Sequence, residues 1–163
     1  MHFDAVALFP NSQSFIYHFL YYLCLAMGRI VAIDYGQKRT GIAATDSLKL
    51  IANGLRTVPS MELLAFLKDY ISREDVELFV VGQPKQMNNE PSENMIRVER
   101  FVAQLRKSIP TIPVVYYDER FTSKLAFQTM LEGGVKKKKR QNKALVDEIS
   151  AVIILQSYLE SKK

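Results

Sequence analysis

The chain has 163 residues, 48% hydrophobic and 24% charged, with a formal net charge of +5. This length and usage fit one globular domain with its own core and exclude a disordered, collagen-like or disulfide-stapled chain. The single Cys24, with no Cys/His ligand spacing around it, excludes an internal disulfide, a zinc site and a thiol redox pair, and suits a reducing compartment.

Residues 1–26 differ in character from the rest of the chain. All 22 Lys and Arg residues lie at or after Arg29, whereas both histidines, Cys24 and just one of the 17 acids, Asp4, lie ahead of Met27. The apolar run over 15–26 is shorter than the roughly 20 residues of a membrane helix. It has the length of a signal-peptide core, but no positive segment precedes it. A structural extension packed on the body is a second reading. We prefer a third: Met27 opens MGRIVAIDYG, a compact start to a first strand, and residues 1–26 are a non-native extension from a wrongly assigned start codon. The working domain is then 27–163.

From Arg29 the pattern alternates between strands and helices. Residues 29–35 (RIVAIDY) form a buried strand, and 40–46 and about 50–57 two more, with short links that predict an antiparallel meander. A helix over about 60–72 comes next, with Ser60 as its N-cap and Leu63, Leu64, Leu67, Tyr70 and Ile71 on one face. ELFVVG at 77–82 is a buried strand, and the polar segment after it is a loop at the carboxyl end of that strand, where open α/β sheets contact ligands. Met95, Val98, Val102, Leu105 and Ile109 mark an amphipathic helix over about 92–108. A strand over 113–119, a short helix over about 122–132 stopped by Gly133-Gly134, and a last helix over about 143–160 complete the chain. The last helix carries Leu145, Ile149, Val152, Leu155 and Leu159 on one stripe. The expectation is one α/β domain, a mixed five-stranded sheet of three antiparallel strands then two in helix–strand units, flanked by helices.

Three sets of acids stand out. Asp34 interrupts an apolar strand, where a carboxylate is costly unless neutralised. Asp118 and Glu119 end the strand over 113–119, and Asp147 lies near the start of the last, apolar helix. Each has an ordinary alternative: Asp34 pairing with Arg29, Lys38 or Arg39, Asp118 and Glu119 at the surface, Asp147 favoured by the helix dipole. Alternation puts Asp118 and Glu119 on opposite faces, and spacing does not choose between them. Taken together, a strand acid, a strand-end acid and a helix acid are the parts of a site for two hard cations, Mg²⁺ or Mn²⁺, that cleaves phosphodiesters. No histidine occurs after Met27, so an imidazole base is excluded there.

The cations supply the other half. Lys136, Lys137, Lys138, Lys139 and Arg140 form a basic run leading into the helix of Asp147, placed to hold phosphates, although such runs are also ordinary solvated loops. Lys38 and Arg39 come after Asp34 in a glycine turn, and Arg120 comes after Glu119. With no Trp and no aromatic RNA-binding motif, recognition of shape and backbone is expected rather than base readout.

Four segments, AIDYGQKRTGIAATD, VVGQPKQMN, YYDERFTS and VDEISAVIILQSYLE, together resemble, in order, the signature blocks of the bacterial YqgF-type pre-16S rRNA nucleases, also described as Holliday-junction-resolvase-like proteins. The resemblance implies an RNase H-like fold, a cytoplasmic protein and a metal-dependent endonuclease that matures the 5′ end of the small-subunit rRNA precursor. It assigns Asp34, Glu119 and Asp147 as catalytic and metal-holding acids, and so favours Glu119 over Asp118. Ser150 stands where related true resolvases have a second helix acid. Structured RNA is the expected partner, with branched DNA and a pre-ribosomal particle as further candidates, no membrane, and a monomer or weak homodimer as the oligomeric state. The alternatives are a Holliday junction resolvase and a non-catalytic nucleic-acid-binding factor for ribosome assembly or transcription. A sugar-kinase-like ATPase shares the D-x-G turn but uses two such domains, and this body is too short.

Overall fold

The computed structural model describes residues 28–83, 93–118, 130, 132–134, 136 and 141–162. Strands β1 (Arg29–Tyr35), β2 (Arg39–Thr45), β3 (Ala52–Pro59), β4 (Val76–Gln83) and β5 (Val114–Asp118) form one sheet in the order β3-β2-β1-β4-β5. β1 to β3 pair antiparallel, and β4 and β5 extend the sheet in parallel from β1. Helix α1 (Leu63–Ile71) connects β3 to β4 and α2 (Glu93–Ser108) connects β4 to β5, while α3 (Lys143–Glu160) comes last. This is the mixed α/β sheet expected from the pattern.

The central strands are apolar on both faces because both faces are covered. Val31 and Ile33 of β1 join Phe79 and Val81 of β4 in a core with α1 and α2. Their neighbours Ile30, Ala32 and Val80 join Ala151, Ile154 and Leu155 of α3 in a second core on the opposite face. A period of two along each strand thus sorts residues between two helical layers. The stripe expected on α2 is the buried one: Met95, Val98, Val102, Leu105 and Ile109 are all inside. At the end of β1, Tyr35 stacks on Phe101 of α2 with ring centroids 4.7 Å apart, and Asn94 Nδ2 donates to Tyr35 O at 3.1 Å.

Two expectations are corrected. Ser60 does not cap α1, which starts at Leu63 after Glu62 without a side-chain cap bond; the Ser60 hydroxyl is committed instead to the turn between β1 and β2. On α3, Leu155 of the expected stripe is fully buried and Val152 and Leu159 pack beside it, but Leu145 and Ile149 are half-buried and the other buried residues are Ser150, Ala151 and Ile154. The helix is apolar around most of its circumference, so hydrophobic spacing does not single out its contact face. That face is set by small residues that let the helix approach the sheet. The expected loop over 84–92 and most of the helix over 122–132 lie outside the described residues; Gly134 takes φ 68°, the left-handed geometry of a helix stop. Among the described residues no helix is long and apolar enough to cross a membrane.

Among the described glycines, the closest backbone approach is between α3 and β2. A Cβ placed on Gly41 would lie 1.9 Å from Asp147 O and 2.3 Å from Asp147 C. Backbone cannot yield as a flexible side chain does, so the helix sits where it does because residue 41 has no side chain. Gly41→Ala should lower unfolding stability by about 2 kcal/mol or more, read by urea denaturation; a change within about 0.5 kcal/mol would show that the helix is not seated on this glycine.

Candidate active site

Asp34 is the sixth residue of β1, and alternation with Ile30 and Ala32 puts its side chain on the α3 face. Its partner across the sheet is Gly41. Because α3 rests on that glycine, the helix delivers Asp147 beside Asp34. A cap and two contacts to β3 steady α3 there. Asn142 caps it, accepting from Ala144 N at 3.1 Å; Thr57 Oγ1 donates to Ala144 O at 2.7 Å; and Glu148 lies over Gly54, where a Cβ would come within 2.4 Å of its Oε1. Asp147, Ser150, Ala151 and Ile154 share one helical stripe, so the acid heads the same stripe that packs on the sheet. As the fifth residue of α3 it lies beyond the first turn, which removes the helix-dipole explanation for its position.

The two carboxylates disturb one another. The carboxyl of Asp34 is pushed up from 3.8 to about 7, first by burial and then by the charge of Asp147, against a hydrogen bond from Ser150 that favours the ionised form. None of the three cations near Asp34 in sequence is committed to it. Arg29 Nε donates to Glu74 at 2.7 Å, Arg39 Nε donates to Asp147 Oδ2 at 3.0 Å, and Lys38 is exposed.

The turn between β1 and β2 is built to stay in place. Gly36 N donates to Arg39 O at 3.1 Å, and a Cβ on Gly36 would meet that oxygen at 2.5 Å. Ser60 Oγ donates to Gly36 O at 2.7 Å, which leaves buried Thr40 to donate to Ser60 Oγ at 2.9 Å, and Ser60 N donates to Lys38 O at 3.1 Å. The result is a stiff loop that presents Gln37 and Lys38 to solvent beside the carboxylates. Ser60, Gly41 and Ser150 therefore serve the site alongside the acids. Ser60 escapes a motif reading because a Ser ahead of a helix looks like a cap. Gly41 has a signal in the T-G pair of β2, where a glycine inside a strand marks a close backbone approach.

Asp118 is paired in register with Gln83 and lies two residues after Tyr116, which packs on the α1/α2 core, so it belongs to the face away from Asp34. Glu119, Arg120, Lys137, Lys138, Lys139 and Arg140 lie outside the described residues, and Lys136 is exposed. Among the described residues no group of three or more potential metal ligands gathers. The pair that is described suits a hard cation in kind: carboxylate oxygens on a rigid seat, one of them with its carboxyl raised by burial and by its neighbour's charge. A divalent ion would offset both causes of that perturbation by favouring the ionised carboxyl.

Over residues 28–161 the chain matches the family described as "RuvX: Holliday junction resolvase". The chain belongs to this family. A curated relative from Parabacteroides distasonis, named "Putative pre-16S rRNA nuclease", is 74% identical over 137 residues, spanning 84% of this chain and 98% of the relative. A relative of the same name from Flavobacterium johnsoniae is 56% identical over 137 residues, spanning 84% of this chain and 99% of its own length. Among solved structures, "T. thermophilus RuvC in complex with Holliday junction substrate" is similar with a TM-score of 0.53 at 16% identity, covering 83% of this chain and 95% of that one. The fold is thus RNase H-like, as the four sequence blocks implied.

The raised Asp34 carboxyl has a consequence for stability. Between 3.8 and about 7 the folded protein keeps a proton that the unfolded chain has released, so unfolding stability falls as pH rises through that window and levels off above it. In metal-free buffer, Asp34→Asn should match the wild type near pH 4 and exceed it above pH 7 by on the order of a few kcal/mol. Urea denaturation of both proteins across this range checks the sign; a variant less stable than wild type at pH 8 would contradict it.

Proposed function

We propose that this protein is a metal-dependent endonuclease that cleaves phosphodiester bonds in the 5′ leader of precursor 16S rRNA. The observation that carries the reading is the delivery of Asp147 to Asp34 by the close seat of α3 on Gly41, beside a stiff cationic turn. Support for the substrate comes from the curated relatives at 56–74% identity, each named for pre-16S rRNA.

Asp34 and Asp147, with Glu119 as the third acid, would hold the cations, Mg²⁺ or Mn²⁺. Glu119 rather than Asp118 is what the family resemblance implies, and the faces of β5 speak against Asp118. Val115 and Tyr117 pack on the α3 core, whereas Tyr116 and with it Asp118 belong to the opposite face. Bound there, two hard cations supply water activation and neutralise charge on the leaving oxygen. The chain's own part is to fix the carboxylates, keep them close enough that a cation relieves their repulsion, and place cations for the substrate. With no histidine after Met27, residues 27–163 offer no imidazole to move a proton. Lys38, Arg39, Arg120 and the run Lys136–Arg140 would hold phosphates, in the cytoplasm, where precursor rRNA is matured.

Junction resolution is the second reading, favoured by the family's own description. Against it stands Ser150, fully buried and bonded to Asp34 in the place of a second helix acid. Purified protein should cut a pre-16S leader transcript in Mg²⁺ or Mn²⁺ and leave a four-way DNA junction largely intact. Asp34→Asn and Asp147→Asn should each lose roughly 10²-fold or more in rate. Equal cutting by Asp34→Asn would remove the site, and preferential cutting of the junction would replace the substrate.

A further inference from the structure

Arg39 stands in the turn as a candidate phosphate ligand, yet its side chain is directed at Asp147. Its Nε donates to Asp147 Oδ2 at 3.0 Å, and among the described residues this is the guanidinium's hydrogen-bond partner. The contact uses one nitrogen rather than a two-bond fork, which leaves it weaker than the bidentate arrangement open to arginine. Both side chains are partly open to solvent, at 40% for Arg39 and 29% for Asp147, so the pair can part without unpacking a core. The backbone at Arg39 is held independently, by the bond from Gly36 N to Arg39 O and by register with Pro59. Its side chain can therefore swing from a fixed base.

Taking Asp34 and Asp147 as the metal-holding pair, as in the proposed function, we infer that Arg39 is the resting counter-ion of the metal site: it neutralises Asp147 while no cation is bound and must release that carboxylate when one binds. A divalent ion taking Asp147 Oδ2 would compete with the guanidinium for that oxygen and repel it outward by like charge. Among the described residues Asp34 has no such cation, so the displacement involves one bond only. This unites the observed ion pair with the phosphate contact expected from the turn. The two are successive states of one side chain, and metal loading releases the arginine toward the substrate.

The test is calorimetric titration of MnCl₂ into the full chain, metal-free, as wild type, Arg39→Gln, Arg39→Lys and Asp34→Asn, with thermal melts in EDTA alongside. Arg39→Gln should bind Mn²⁺ roughly tenfold more tightly than wild type, because no charge-assisted bond has to break first. Its metal-free melting temperature should fall. Arg39→Lys, which keeps the charge and guards against a folding defect in the glutamine variant, should fall between the two in Mn²⁺ affinity. A merely structural arginine would give weaker metal binding on substitution. Equal or weaker Mn²⁺ binding by both Arg39 variants, with binding abolished in Asp34→Asn, overturns the counter-ion role and leaves the metal site standing. Absent Mn²⁺ binding in the wild type, or undiminished binding in Asp34→Asn, overturns the site and the counter-ion role together.

Discussion

The contact on which the rest depends is the seat of α3 on β2. At Gly41 the helix backbone occupies the space where every other residue would carry a Cβ. Helices usually lie about 10 Å from a sheet, held off by large side chains; here glycine below and Ser150 and Ala151 above remove that spacer. Thr57 and Gly54 then fix the first turns of α3 against β3, and Asn142 caps the helix at that end. The position of the helix is thus determined at the end that bears the acid.

The same approach that packs the core creates the chemistry. Asp34 is the register partner of Gly41, so lowering a helix onto the glycine brings a second carboxylate to the first. Their repulsion and the burial of Asp34 oppose folding, and the surrounding structure carries that cost through its two apolar cores. Ser150 offsets part of it with a hydrogen bond to Asp34, and Arg39 offsets part of the charge on Asp147. Stability alone would not place two acids there, and a cation site needs them.

Much of the architecture is legible in the residues. The β-branched runs, the polar breaks and the three-four spacing of α2 locate the sheet, its order of elements and the helix that covers one face. Acid in an apolar strand marks Asp34, and acid near the head of an apolar helix marks Asp147. What is not legible is close approach. The face of α3 on the sheet combines Ser150 and Ala151 with Ile154 and Leu155, so a search for large apolar residues finds Leu155, with Val152 and Leu159 beside it, and misses the small residues that allow the close approach. Ser60 reads locally as a helix cap, whereas its hydroxyl bridges a turn and a strand that meet it only in the folded chain. Arg39 reads as a phosphate ligand, and its partner is 108 residues away. Spacing alone leaves Asp118 and Glu119 open; the resemblance favours Glu119, and what the fold adds is that Tyr116 and Tyr117 pack on opposite helical layers.

The central claim is that Asp34 and Asp147 form one electrostatic unit made for a cation. Carboxyl-carbon NMR titration of Asp34 measures this directly, in metal-free wild type, in Asp147→Asn and in wild type with saturating Mg²⁺. The account predicts a midpoint near 7 in the metal-free wild type, a lower midpoint in Asp147→Asn that stays above the ordinary carboxylate range because burial persists, and a marked fall when Mg²⁺ binds. A midpoint near the ordinary value in wild type, or one that neither Asp147→Asn nor Mg²⁺ moves, would contradict it.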